Sequence, residues 1–299
     1  MPRNTLALLP ALTLTLATGC SEQFDQQAVA LRFDATIGGE VASCYNAQIA
    51  QVPQYSPGVN GTLAALADAR MLLSNVELRE VGGGWVPLET EPAFPWRNQG
   101  VTLLDFENDQ SFCGAEGTVI TNKNLSGTLP GGEYEGLRFD VGVPFELNHL
   151  DASREDSPSS VGAMFIDVQN GYRFVRLHFV VENGASQRYV VELGNGGCTS
   201  GGPSEAPSDC PRENVATITL DDFVLGEDAI GVDLGQLVAS ADLSAAVPDQ
   251  TAGCTPLDDG LDDCASPLTA LGLGEDSGDC RNDCTDQTVF SLTELVPAE

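Results

Sequence analysis

Histidine, lysine and tryptophan are nearly missing from this 299-residue chain, which carries only His149 and His178, Lys123, and Trp85 and Trp96. The shortage excludes much. There is no Gly-x-Ser-x-Gly elbow and no His-Glu-x-x-His pair, so the usual serine-hydrolase and zinc-protease signatures are absent. Cys-x-x-Cys-His is also absent, which removes covalent c-type haem attachment. No nucleophile–base pair stands out, so an independent hydrolase has little to stand on. Thirteen basic residues face forty-four acidic ones, for a net charge of −31. Such a field repels nucleic acid and anionic lipid and tolerates cations and basic partners. Solubility or a salty habitat explains the same excess, so charge removes functions without choosing one.

What is present points to the cell envelope. Residues 1–19 give a short positive start, an apolar run from Leu6 to Ala17 and the small-residue sequence Ala17-Thr18-Gly19 before Cys20. This pattern predicts an export signal of the lipoprotein type, with lipid attached at Cys20. The run is too short for a permanent span. Ser21 favours the outer membrane, and ordinary secretion is the alternative. Eight further cysteines follow: Cys44, Cys113, Cys198, Cys210, Cys254, Cys264, Cys280 and Cys284. An even set in an exported chain reads as four disulfides. Loop closure favours the short pairs Cys198–Cys210 and Cys254–Cys264, leaving Cys44–Cys113 and Cys280–Cys284 by elimination. A zinc site is disfavoured, because Cys-x2-Cys pairs are absent.

The body of the chain predicts an all-β fold, an antiparallel sandwich or barrel-like sheet, as one domain over 20–299. Short runs rich in Val, Phe, Tyr and Thr lie between turn residues at Leu31–Ile37, Met71–Leu78, Val101–Phe106, Gly136–Val141, Tyr172–Val181, Arg188–Leu193 and Ala216–Leu220. Asn183-Gly184 marks a hairpin. Leu234, Leu237, Val238 and Ala241 share a face if Asp233–Val247 is helical. From about 248 to 288, cysteines and aspartates dominate and large apolar residues are few. This predicts an irregular, disulfide-held tail on the sheet, with Val289–Leu292 as a last strand.

Two constellations suggest ions. His149 and Met164 offer nitrogen and soft sulfur, which suits copper; in the alternative, Met164 fills core space and His149 caps a loop. His178 alternates with Arg176 on one strand face and reads first as a packing residue. Asp258-Asp259-Gly260-Leu261-Asp262-Asp263 lacks the order of a calcium loop and reads as a solvated acidic turn.

A longer pattern is more specific. Trp96-Arg97-Asn98-Gln99-Gly100-Val101-Thr102-Leu103-Leu104-Asp105-Phe106-Glu107 is followed by Cys113, Gly117-Thr118 and Thr121-Asn122. Then come Tyr134-Glu135-Gly136-Leu137-Arg138-Phe139, Val141-Gly142-Val143-Pro144-Phe145, Asn148-His149 and Gly171-Tyr172-Arg173-Phe174. Together with Met71–Leu78, Leu193–Cys198 and the Cys254…Cys264 tail, the chain resembles the MbnP-like family, the four-Cys protein of a metallo-mystery pair. The resemblance runs from about Leu31 to Phe290. It implies a non-enzymatic copper-binding envelope protein working with an MbnH-like di-haem partner of the cytochrome c peroxidase family. In relatives that partner converts a tryptophan near the metal to kynurenine. This chain has Phe165 and Asp167 where relatives carry tryptophans, and Glu192 where they carry a histidine before Leu-Gly. The implied ligand set here is therefore His149, Met164 and Glu192. The alternative is a metal-free member acting as a surface or partner-binding module.

Overall fold

The computed structural model describes residues 25–47, 50–115, 117–181, 187–246, 251–256 and 264–295. In chain order its strands are β1 (Gln26–Ile37), β2 (Glu40–Val41), β3 (Ala64–Glu80), β4 (Trp85–Pro87), β5 (Arg97–Asn98), β6 (Val101–Asp105), β7 (Asn124–Pro130) and β8 (Tyr134–Val141). They continue with β9 (Phe165–Asp167), β10 (Gly171–Val181), β11 (Arg188–Gly194), β12 (Ala216–Val224), β13 (Asp228–Asp233), β14 (Thr251–Cys254) and β15 (Phe290–Glu294). Two short α-helices join them, α1 (Phe145–Asn148) and α2 (Ala265–Ala270).

The strands form two sheets. The smaller runs β15-β13-β1-β2 with β7 also on β1, and the larger runs β12-β8-β3-β10-β11-β14. In β1 every second residue, Val29, Leu31, Phe33, Ala35 and Ile37, is buried, the period-2 pattern of a strand with one face on a core. The Phe139 ring of β8 meets Phe33 of β1 and Phe290 of β15 edge-on, with centroids 5.8 and 5.1 Å away, and so ties the sheets together. Most pairings are antiparallel, as the sequence suggests. The exceptions are β1–β13 and β11–β14, which run parallel and make both sheets mixed.

β3 and β10 are buried on both faces. Met71 and Leu73 enter the inter-sheet core, whereas Leu72 between them points away, into a second apolar cluster with Val101, Leu103, Val143, Met164, Tyr172 and Phe174. This second cluster carries the connection from α1 to β9.

Other expectations meet the structure unevenly. Over its described part, 233–246, the expected helix of Asp233–Val247 is not an α-helix. It forms 3-10 turns at Leu234–Val238 and Leu243–Ala245, opened by Asp233 accepting from the Gly235 N–H and Asp242 from the Ser244 N–H. Those aspartate bonds stop the chain in tight turns, while Leu234, Leu237 and Val238 are buried as the pattern requires. The four disulfides join Cys44–Cys113, Cys198–Cys210, Cys254–Cys264 and Cys280–Cys284. In the tail, β14 adds to β11 and Leu268, Leu271 and Leu273 enter the main core. Residues 1–24 with Cys20, the Asn183-Gly184 turn, Val247 and the Asp258–Asp263 cluster lie outside the described residues. No helix among the described residues is long and apolar enough to cross a membrane.

Because Phe139 is fully buried where the sheets meet, Phe139→Ala should cost about 3–5 kcal/mol of unfolding free energy in urea titrations. A loss under about 1 kcal/mol would mean that this ring does not bridge the sheets.

Candidate metal centre

His149 ends α1, whose start is set by Pro144. The helix is fixed to β10 next door, where Asn148 Oδ1 accepts from the Tyr172 N–H at 2.8 Å. Gly171 precedes that contact with φ +73, and a Cβ there would lie 2.3 Å from Asn148 Nδ2, so only glycine fits. The Phe145 ring leans on the imidazole with centroids 4.8 Å apart.

The His149 ring is oriented by its neighbours. Nδ1 lies 3.0 Å from the Val168 carbonyl, which can only accept, so the proton sits on Nδ1 and Nε2 presents a lone pair. Burial lowers the pKa of His149, and the Val168 hydrogen bond and Asp167 charge only partly oppose it, so the ring is neutral at physiological pH. Nε2 faces the Asn195 amide at 3.4 Å and Cys210 Sγ at 3.7 Å. Asn195 is 97% buried, and its Oδ1 has no hydrogen-bond partner among the described residues. His149, Cys198 and Cys210 bring their donor atoms within 4.8 Å of one another. Both sulfurs belong to a disulfide and present no thiolate.

The other two expected ligands have different neighbours. Met164 closes the 3-10 turn Gly162–Met164 and is fully buried in the second apolar cluster. The Phe165 ring leans on Tyr172 with centroids 4.9 Å apart, and Trp96 packs on the same cluster although sequence spacing sets it far from Met164. Glu192 of β11 faces cations instead. It accepts from Arg173 Nε at 2.7 Å and Arg176 Nε at 3.3 Å, and meets His178 Nε2 at 2.9 Å. Burial alone would raise its pKa, but the His178 hydrogen bond and the charge and hydrogen bond of Arg173 outweigh that and hold it at about 2. Arg173, on β10, also donates to the carbonyls of Ala163 and Phe165, tying β10 to the Met164 turn.

His178 is thus a packed strand residue, part of a buried ionic layer that the sequence reading passed over. Asp68 Oδ2 accepts from both Arg70 and Arg176, and Arg70 also pairs with Asp105 and Glu107. The register explains the assembly, since Arg70 stands opposite Asp105 and Arg176, while His178 stands opposite Asp68. The signal was there, in Asp68 and Arg70 on one strand and Arg176 and His178 on another, each pair two residues apart and so on one face. Burial raises Asp68 to about 7 against the pull of Arg70 and Arg176, and it also raises Asp105 and Glu107.

Glu192 gives a signed pH prediction. Its folded pKa lies below the ordinary value of 4.5, so its contribution is complete above 4.5 and disappears as pH falls towards about 2. Glu192→Gln should be destabilised by on the order of 3 kcal/mol at neutral pH, and the gap should close by about pH 2. Urea midpoints measured across that range check it; a gap independent of pH would deny the ion pairing.

Comparison with known proteins gives a consistent identification. No curated protein matches the chain in sequence. Among solved structures, MbnP from Methylosinus trichosporium superposes with a TM-score of 0.72 at 23% identity, over 91% of this chain and 100% of that one. This likeness shows a shared fold. The family model described as MbnP matches residues 26–256, taking in the larger sheet, the smaller sheet except β15, the His149 region and the Cys198–Cys210 loop. By that match the chain belongs to the MbnP family.

Proposed function

We propose that this chain is a non-enzymatic, lipid-anchored envelope protein that holds copper at His149 and acts with an MbnH-like di-haem partner. The observation that carries the copper reading is the His149 imidazole, with Nδ1 fixed on a carbonyl and the Nε2 lone pair turned towards a buried, half-satisfied amide. A buried amide oxygen without a partner costs about 1–3 kcal/mol, which a bound cation offsets. His149 and Asn195 therefore fit a metal. Glu192 does not: Arg173 and Arg176 already balance its charge and repel a further cation, and His178 occupies its Oε1. Met164 is packed within the second apolar cluster and serves there as apolar support. Bound copper supplies one-electron redox chemistry. The protein holds the imidazole in one tautomer through Val168 and shields it with Phe145.

The four disulfides belong to an oxidising compartment, which supports an envelope location reached through the signal ending at Cys20. Membership of the MbnP family supports the di-haem partner and the absence of catalysis by this chain. A second reading, a metal-free partner-binding module, draws on the ion-paired state of Glu192.

The purified oxidised protein should take up one copper ion, and His149→Ala should weaken binding at least about tenfold. Competition titration against a copper chelator reads the difference. Equal affinity in mutant and parent would remove His149 from the site, and no uptake by the parent would leave the metal-free module. A di-haem protein with two Cys-x-x-Cys-His motifs, encoded next door, should co-purify with the chain.

A further inference from the structure

The geometry points to a second, redox-gated metal site in the same place: when the Cys198–Cys210 disulfide is reduced, the two thiolates and His149 Nε2 together bind a soft or borderline cation of the zinc(II) or copper(I) class. It shares His149 with the copper reading above but needs neither copper nor the di-haem partner. The two can therefore fail separately.

Three observations carry it. The first is convergence, because the imidazole nitrogen and both sulfurs already lie within 4.8 Å of one another and Cys210 Sγ is 3.7 Å from Nε2. Two thiolates and one imidazole are a donor set that soft and borderline cations prefer. The second is the buried Asn195 beside Nε2, with Oδ1 unpartnered among the described residues. A half-turn of this amide exchanges its nitrogen for an oxygen donor. The third is that the loop is not closed by sulfur alone. Gly196 and Arg212 exchange both backbone hydrogen bonds, at 2.8 and 3.2 Å, just outside the two cysteines. Gln169 holds the loop from within through the Cys198 carbonyl, Ser200 Oγ and the Pro203 carbonyl. After reduction the thiols therefore remain facing His149.

Access and charge agree. A cavity of about 140 Å³ lined by Phe145, Asn195, Asp140 and Glu213 opens beside the site, and its two carboxylates favour a cation. Of these lining residues, Phe145 and Asn195 also touch His149.

The chemistry balances with a dithiol as reductant. One of its thiolates attacks Cys198 Sγ, the S–S bond breaks, and Cys210 leaves as a thiolate. The second thiol of the reductant then attacks the mixed disulfide, freeing Cys198 and closing the reductant's own disulfide. Two electrons pass from the dithiol to the cysteine pair, which ends as two thiols. A divalent ion then displaces one proton from each thiol, while His149 donates its Nε2 lone pair without a proton change.

The test uses the purified full-length protein, oxidised and dithiol-reduced, titrated with cobalt(II) and zinc(II). The reduced protein should gain thiolate-to-cobalt charge-transfer absorption at one equivalent, displaced by zinc, and the oxidised protein should show none. The double variant Cys198→Ser/Cys210→Ser should lose the band. His149→Gln should retain it with affinity lowered at least about tenfold. Far-ultraviolet circular dichroism should show the reduced parent still folded. The inference is overturned if the double variant keeps the full band, if the reduced parent shows none, if affinity is unchanged in His149→Gln, or if reduction unfolds the chain.

Discussion

Burial of β3 and β10 on both faces is the constraint on which the rest of this molecule depends. A sheet in a two-layer sandwich needs one apolar face; the central strands here need two. On one side, Met71, Leu73, Leu177 and Phe179 fill the core against β1 and β13. On the other, Leu72 and Phe174 support the apolar cluster beneath the α1–β9 connection, and further along the same strands Arg70 and Arg176 are buried as ions with His178 beside them. The outer face is thus divided between a greasy end and a charged end. The candidate metal centre sits at the greasy end, where His149, its carbonyl partner Val168 and the Cys198–Cys210 loop meet.

That division explains why the implied ligands part company. His149 is fixed by backbone: a helix end, a carbonyl acceptor and a glycine at 171 that lets α1 approach β10. Glu192 is fixed by charge, and its place is decided by Arg173, Arg176 and His178. Breaking a buried ionic cluster by freeing one member is costly, so the carboxylate is not available to leave its partners for a metal.

Much of the architecture was legible in the sequence because period-2 burial leaves a direct trace. Leu31–Ile37 is an example, and its alternation appears as the buried face of β1. The short disulfides followed from loop closure. The two parallel pairings did not, since nothing local distinguishes a strand that lies beside a distant neighbour from one that turns back on it. Asp233–Val247 misled because its apolar spacing suits helix and 3-10 turns alike, and aspartate side chains decided between them. At the site, the neighbours of His149 were hidden for a similar reason. Asn195 and Cys210 are 46 and 61 residues away along the chain, brought in by β11 and a disulfide loop.

The crowding of Asp68, Asp105 and Glu107 around Arg70 reaches beyond local packing. All three bind protons more tightly in the folded protein than in an open chain, Asp68 up to about 7. Between mildly acidic and neutral conditions the native molecule is therefore less anionic than its formal charge suggests, and melting it releases hydrogen ions. Its calorimetric enthalpy will in consequence include the ionisation heat of whatever buffer receives them.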